Sequence, residues 1–304
     1  MSNTGTKTKP TGRAKNGPGK GATYKGGKRV RANRSGRGFW IIAVVVVAIG
    51  VAAVVAVSSG SKPSVNDAAA PAAVVKAATT VPRAVFDTVA SGTATAAPKK
   101  VSAPALTQGG NPRIVYIGAE YCPYCATERW AMVAALARFG TFSGLKSTHS
   151  SSVDVFPSTQ TLSFHGSTYT SPYLVFTPVE TNTNQVQGDG YVSLDKPTAE
   201  EEKLLTTYDV PPYSGTDASS AGAIPFIYFA GKYISVGATY DPSTLQGKSA
   251  SEIAAALSDP TSAIGKGAIG AANGLTAAIC SITRNQPAAV CSDPMIRTLQ
   301  GSLQ

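Results

Sequence analysis

Histidine is scarce in this chain of 304 residues and occurs only at His149 and His165. Neither histidine has another ligand at a metal-binding spacing. The last two of the four cysteines, Cys280 and Cys291, stand eleven positions apart, which is unlike the short ligand spacing of a zinc knuckle. The sequence therefore predicts no metal site and no cofactor.

Acidic residues are absent from residues 1–38, which carry eleven lysines and arginines. Sixteen basic and seventeen acidic residues remain, so the formal charge of +10 belongs to this tail and not to a folded surface. The tail has almost no apolar side chains, which is typical of disorder. We expect no nucleic-acid partner, and we expect the tail to set topology at an anionic membrane surface.

Charged residues are also missing from residues 39–57, which are almost wholly apolar. As a helix at about 1.5 Å per residue, this segment would span about 28 Å, the thickness of a bilayer core. A cleaved signal peptide is the alternative, but its apolar stretch would be only about 7–15 residues long. The positive-inside rule places the tail in the cytoplasm. The prediction is a single-pass protein of the cell membrane with an extracytoplasmic C-terminal domain, where disulfides persist.

Residues 58–110 are dominated by Ala, Pro, Ser, Thr and Val, and this composition predicts an extended linker. Within it, the segment 82–90 could form a short helix that docks on the domain. The folded, extracytoplasmic domain is expected at 111–304. Its predicted elements are a strand at 113–118, a helix at 123–139 ended by Gly140, strands at 160–164 and 173–179, a helix at 199–207, a hairpin turning at 230–232, a helix at 249–257 and a helix at 268–280.

The tetrapeptide Cys122-Pro123-Tyr124-Cys125 lies between the first predicted strand and the first predicted helix. Two cysteines three positions apart at a helix start share one face. Proline suits the first helical position, and the helix dipole stabilises a thiolate at Cys122. The pattern predicts a redox site with Cys122 as nucleophile and Cys125 as resolving thiol. A static disulfide and half of a zinc site are the alternatives.

Four cysteines in an exported domain fit two pairs, so Cys280 and Cys291 are left for a structural disulfide. In the chain-entropy model such a bond contributes about 3 kcal/mol. A relay that passes electrons to Cys125 is the alternative role. Near the first pair, Glu120 could assist proton transfer at Cys125, although a solvated carboxylate is the more frequent situation in a loop. Trp130 is expected in the core.

Residues 113–257 resemble the thioredoxin superfamily in their order of strand, Cys-x-x-Cys helix, insertion, proline-led hairpin and helix. The motif has the letters of the glutaredoxin motif, and Ile224-Pro225 matches the cis-proline of the superfamily. The resemblance implies a thioredoxin-like α/β sandwich with a large insertion at 141–216. It also implies that Ile224 and Pro225 contact an extended substrate, and Tyr124 is expected to line the same surface.

A closer resemblance is carried by the run 116–125, with Glu128-Arg129-Trp130 and Arg138-Phe139-Gly140 behind it. This run is similar to a bacterial and archaeal family catalogued as domain of unknown function 929, which has membrane-anchored members. Ile224-Pro225-Phe226 and the two late cysteines also fit its pattern. The resemblance covers roughly residues 111–291 and implies a fold and a location. The buried acid of the thioredoxin central strand has no obvious counterpart, and Glu120 is its nearest candidate.

Together these patterns predict a membrane-anchored thiol–disulfide oxidoreductase whose partners are the thiols and disulfides of exported proteins. A membrane redox partner, such as a quinone-linked oxidase, would regenerate an oxidised site. Because Pro-Tyr adds no cation between the cysteines, we expect a reduction potential near the glutaredoxin range of about −200 to −230 mV. The alternative is a non-catalytic interaction domain of a cell-envelope assembly, with the motif as a structural disulfide.

Overall fold

The computed structural model describes residues 68–215 and 217–303. The basic tail, the predicted membrane segment 39–57 and residues 58–67 of the predicted linker lie outside these ranges. Across the two described ranges, no helix is both long enough and apolar enough to cross a bilayer. The described chain is a mixed α/β structure in which helices pack on a sheet with parallel and antiparallel strands.

Helices and strands alternate irregularly along the chain, and their bounds are as follows. The α-helices are α1 (Ala72–Thr79), α2 (Arg83–Val89), α3 (Pro123–Leu136), α4 (Ala199–Tyr208), α5 (Ala250–Ala256), α6 (Gly270–Ile282), α7 (Ala288–Cys291) and α8 (Pro294–Ser302). The strands are β1 (Lys99–Lys100), β2 (Thr107–Gln108), β3 (Asn111–Gly118), β4 (Thr141–Ser143), β5 (Lys146–His149), β6 (Gln160–Ser163), β7 (Thr168–Thr170), β8 (Val175–Glu180), β9 (Asn182–Gln187), β10 (Gly190–Ser193), β11 (Phe226–Phe229) and β12 (Tyr233–Val236).

Strand β3 lies inside the main sheet, antiparallel to β11 on one side and parallel to β8 on the other. Its last five residues are buried. This is expected of a strand that is mostly apolar and has a paired strand on each side. A parallel pair needs a long crossover connection, and here α3 and the strands after it supply that connection. The β11–β12 hairpin and the short β1 continue the sheet, while β2 pairs with the start of β3.

The helix after the cysteine motif begins at Pro123, as predicted, but ends at Leu136, earlier than predicted. Ala137 is its C-cap, so Gly140 does not end the helix. Gly140 has a different physical reason to be glycine, because a Cβ there would lie 2.3 Å from the carbonyl oxygen of Thr170. The close approach of the chain around β7 excludes any side chain at this position.

Where composition predicted an extended linker up to residue 110, the structure has α1, α2, β1 and β2. Val74, Ala78 and Phe86 of the two helices are buried in the main core. The side chain of Asn273 also donates hydrogen bonds to the carbonyl oxygens of Phe86 and Ala90, at 2.9 and 2.7 Å. The short helix expected within 82–90 is present as α2. The sequence of α1 and α2 was interpreted as a linker because alanine and valine, which dominate these helices, are also common in linkers.

The predicted insertion, residues 141–216, contributes seven of these strands and α4. It includes three antiparallel pairs, β4–β7, β5–β6 and β9–β10. The insertion packs on the cysteine helix, because Trp130 Nε1 donates to the Gln160 carbonyl oxygen at 3.0 Å and Thr161 Oγ1 donates to that of Ala126 at 2.8 Å. Trp130 is fully buried, as expected.

The C-terminal helices cover the face of the sheet that carries α3. The helix expected at 268–280 is α6, entered through a π-helical turn at Gly265–Ile269. Cys280 of α6 and Cys291 of α7 are both buried and are joined by a disulfide. The pairing inferred from the cysteine count is therefore present in the structure.

Candidate active site

Cys122 is the N-cap residue of α3, and its sulfur accepts a hydrogen bond from the Cys125 N–H at 3.2 Å. The same sulfur lies 3.7 Å from the carbonyl oxygen of Ile224, to which its thiol donates. The Ile224–Pro225 peptide bond is cis. The fold thus joins the start of α3 to the chain that leads into β11, across 102 sequence positions.

The two motif cysteines are free thiols that differ in exposure and acidity. Cys122 is 5% exposed, whereas Cys125 is wholly buried. A hydrogen bond from the Cys125 thiol, the Cys125 backbone N–H and the charge of Arg129 lower the pKa of Cys122, although burial opposes them. Burial, together with Cys122, raises the pKa of Cys125 well above its usual value. The outer sulfur is therefore the one that ionises first.

A buried ion pair lies beneath the motif. Arg129 of α3 and Glu180, the last residue of β8, are both fully buried, and Arg129 Nε is 3.1 Å from Glu180 Oε1. Arg129 Nη2 also donates to the carbonyl oxygen of Ala119 at 2.8 Å. Burial raises the pKa of Glu180 to about 7, although the charge of Arg129 acts in the opposite direction. This pair places a permanent cation close to both sulfurs.

The pair was not identified from the sequence. Arg129 was named only as part of the family resemblance, with no role assigned to it, and Glu180 lies in the predicted insertion. The available signal was an arginine on a helix whose other residues are mostly apolar, since a buried cation requires a partner. The partner could not be named, because Glu180 reaches the site only through the parallel pairing of β8 with β3.

Two more acids near the motif are buried. Glu120 is not a solvated loop residue, because its side chain is almost completely inaccessible and its Oε2 has no hydrogen-bond partner within the described ranges. The Glu120 N–H donates to Asn182 at the start of β9, which draws this loop inward. Glu128, on α3, accepts hydrogen bonds from the N–H and hydroxyl of Thr239, both at 2.8 Å. Burial raises the pKa of Glu128 to about 7.

Aromatic residues flank Cys122 on both sides in the chain. Tyr124 is 40% exposed and meets the edge of Phe156, with ring centroids 6.1 Å apart. Tyr121 stacks on Tyr191 of β10 at 4.1 Å, with the rings almost parallel. Tyr124 is thus exposed beside Cys122, and two segments of the insertion contribute aromatic rings next to the motif.

The remaining candidates lie elsewhere or serve other purposes. His165 pairs with Asp195 at 2.7 Å, and His149 Nδ1 lies 2.8 Å from the carbonyl oxygen of Ser150. Within residues 68–215 and 217–303, no group of three or more His, Cys, Asp and Glu side chains could hold a metal ion.

Comparison with known protein families gives a match to a family described as a domain of unknown function, DUF929, over residues 97–281. The chain belongs to the DUF929 family. No curated protein and no solved structure matches the chain at a significant level.

The DUF929 match covers the Cys-x-x-Cys motif, Arg129, Glu180 and the Ile224–Pro225 bond. It begins after α2 and ends inside α6, so Cys291 lies beyond it. Helices α1 and α2 nevertheless belong to the packed core of this DUF929 chain. The structural unit is therefore larger than the family match.

Proposed function

We propose that this DUF929 protein is a thioredoxin-like thiol–disulfide oxidoreductase that acts on exported proteins. The observation that carries the proposal is the position of Cys122, capping a helix, accepting an N–H and facing the Ile224 carbonyl oxygen. The strand order β8-β3-β11-β12, with only β3 and β8 parallel and the motif directly after β3, supports the thioredoxin-like assignment.

The proposed reaction uses the two sulfurs in turn. The Cys122 thiolate attacks one sulfur of a substrate disulfide, forming a mixed disulfide, and the other substrate sulfur leaves as a thiolate and takes up a proton. Cys125 then loses its proton and attacks Cys122 Sγ, which releases the first substrate sulfur. The substrate gains two electrons and two protons, and the motif becomes a disulfide. The same steps in reverse oxidise a substrate dithiol.

Arg129 has a positioning role in this scheme. Its charge favours the thiolate form of both cysteines. At Cys125, however, burial opposes ionisation more strongly than this charge favours it. Because a guanidinium does not lose its proton in proteins, Arg129 keeps this charge through both steps. Glu180 holds the guanidinium at 3.1 Å and offsets its charge in the interior.

The cellular part of the proposal follows from the N-terminal sequence. Residues 39–57 would anchor the protein as a single membrane span, with the basic tail in the cytoplasm and the redox domain outside. There the motif would meet exported thiols and disulfides. A membrane redox partner, for example a quinone-linked oxidase, would accept two electrons from the reduced motif in each cycle of substrate oxidation.

The decisive experiment traps the mixed disulfide in the full chain. Cys125→Ser should accumulate covalent adducts with exported proteins, and these should disappear on reduction. Cys122→Ser should form none and should lose insulin reduction. If neither variant traps a protein and Cys122 titrates as an ordinary thiol near 8.5, the oxidoreductase proposal fails. The non-catalytic interaction domain would then be the better interpretation.

A further inference from the structure

The large apolar side chains that the described residues expose are not scattered over the surface. They are Tyr124 at 40%, Val153 at 74%, Val155 at 52% and Val186 at 58%. Isolated exposed apolar residues are ordinary, but a cluster around a reactive group marks a binding surface. Tyr124 belongs to the motif, and the three valines belong to segments that contact Tyr124 or Tyr121.

The loop at 151–158 carries two of these valines. Its Phe156 meets Tyr124 edge to face, and the Ser151 N–H donates to the Tyr121 carbonyl oxygen at 2.7 Å. The loop is therefore attached on both sides of Cys122, at the residue before it and at Tyr124.

The β9–β10 hairpin carries the fourth side chain. Val186 lies directly opposite Tyr191 in the antiparallel register, so their side chains share one face of the hairpin. Tyr191 in turn stacks on Tyr121, the residue before Cys122. We call Tyr124, Val153, Val155, Val186 and Tyr191 the apolar rim.

The solvent-accessible charges of the segments that form the apolar rim have one sign. The segments that form it, residues 119–128, 150–159 and 182–193, contain no lysine or arginine. Besides the buried Glu120 and Glu128, they carry Asp154, which is half-buried, and Asp189, which is exposed. A partner with acidic residues would be repelled here, whereas lysine or arginine beside its apolar residues would be favoured.

We propose that the apolar rim binds an extended polypeptide segment in which apolar side chains flank the reacting cysteine and lysine or arginine lies just beyond them. This inference rests on the proposed function, because it names the substrate class of the same site. The surface is continuous with the thiol that the substrate sulfur must reach. Cys122 is only 5% exposed, so a flexible segment reaches it and the rigid surface of a folded protein does not.

The test separates binding from exchange. A fluorescent peptide with valine, leucine and phenylalanine around a serine, and with lysines at both ends, is titrated into the full chain carrying Cys122→Ser and Cys125→Ser. Peptides with serines in place of the apolar residues, or glutamates in place of the lysines, are compared with it. We expect each replacement to weaken binding at least about tenfold. Equal binding of the apolar and serine peptides would overturn the inference.

Charged variants locate the binding surface. Val155→Asp and Val186→Asp should each weaken binding of the apolar peptide at least about tenfold, and both side chains are exposed enough for folding to tolerate the change. Thr298→Asp, which adds the same charge on the exposed face of α8, is the matched control. Unchanged binding by both valine variants would reject the rim.

Exchange is measured separately, with a small disulfide and the unmodified motif. If the protein exchanges with the small disulfide but does not prefer the apolar peptide, the rim is rejected and the oxidoreductase stands. If it binds the apolar peptide through the rim but exchanges with nothing, the oxidoreductase is rejected and the rim stands as a binding surface.

Discussion

The acidity of Cys122 depends first on the thiol of Cys125, and a pair of variants isolates that contribution. The Cys125 thiol hydrogen bond is the largest cause that lowers the pKa of Cys122, ahead of the Cys125 backbone N–H. Cys125→Ser keeps a hydroxyl donor in nearly the same place, whereas Cys125→Ala removes it. Both variants keep the backbone N–H, at 3.2 Å in the parent, and both leave Cys122 as the single free thiol of the chain.

The size of the effect follows from the lost hydrogen bond. A hydrogen bond to a charged group contributes about 1.5–3 kcal/mol. Because about 1.4 kcal/mol is a tenfold change in an acidity constant, Cys122 should be roughly ten times less acidic in Cys125→Ala than in Cys125→Ser. The thiolate of the weaker acid is intrinsically about three times more nucleophilic, for a Brønsted slope of about 0.4–0.5.

These two effects act in opposite directions, so the comparison changes sign with pH. At a pH below the pKa of Cys122 in both variants, Cys125→Ala should react with a small aromatic disulfide about threefold more slowly, because less of its Cys122 is ionised. At a pH where both thiols are ionised it should react about threefold faster. Stopped-flow rates across the pH range, together with ultraviolet titration of the thiolate, measure both limits. Rate profiles that coincide, or that never cross, would refute the role assigned to the Cys125 thiol.

Three further predictions concern the interior. Burial raises the pKa of Glu128 to about 7 in the folded state, whereas in the unfolded chain this carboxyl loses its proton near pH 4.3. The free energy of unfolding should therefore fall by about 3 kcal/mol as the pH rises from about 4.5 to 7. Urea unfolding at several pH values should show that Glu128→Gln removes this dependence on pH. Arg129→Met leaves Glu180 unpaired and should lower the free energy of unfolding by about 3–5 kcal/mol above pH 7, where the Glu180 carboxyl ionises. In a double-mutant cycle, the additional change Glu180→Gln should restore much of that free energy. Phe86→Ala removes a buried ring from α2 and should cost about 3–5 kcal/mol in equilibrium unfolding.

Each of these has a clear contrary result. Identical pH slopes in the parent and in Glu128→Gln would show that this carboxyl titrates as it does in the unfolded chain. Additive losses for the Arg129 and Glu180 changes would show that the two groups are not coupled. If Phe86→Ala left the free energy of unfolding unchanged, α2 would not contribute to the stability of the core and would be better described as a linker.

Elements defined by neighbouring residues were predicted well. The motif at the start of α3 follows from proline at the first helical position after a strand-like run. The helix predicted at 249–257 is α5, and it begins with a capping box of Ser249 and Glu252 in which both hydrogen bonds are present. The β11–β12 turn is formed at Gly231, where φ is +86° and a Cβ would lie 2.3 Å from the Pro104 carbonyl oxygen.

Features that depend on distant partners were predicted poorly. Helices α1 and α2 are short and rich in alanine and valine, a composition that also occurs in linkers. What distinguishes them is the burial of their apolar side chains in the core, which the local sequence does not reveal. Glu120 was expected in solvent because loops usually are, but the bond from its N–H to Asn182 draws it inward. The end of α3 was misplaced because the need for glycine at position 140 comes from the carbonyl oxygen of Thr170.

The amino-acid order alone determined where the motif sulfurs lie along the chain and which of them begins the helix. Those properties depend on residues a few positions apart, whose geometry the backbone transmits directly. Only the tertiary structure decided that Arg129 meets Glu180, that Ile224 faces Cys122 and that Tyr191 covers Tyr121. The physical reason is that burial and charge at a site are set by groups the fold brings together from distant parts of the chain.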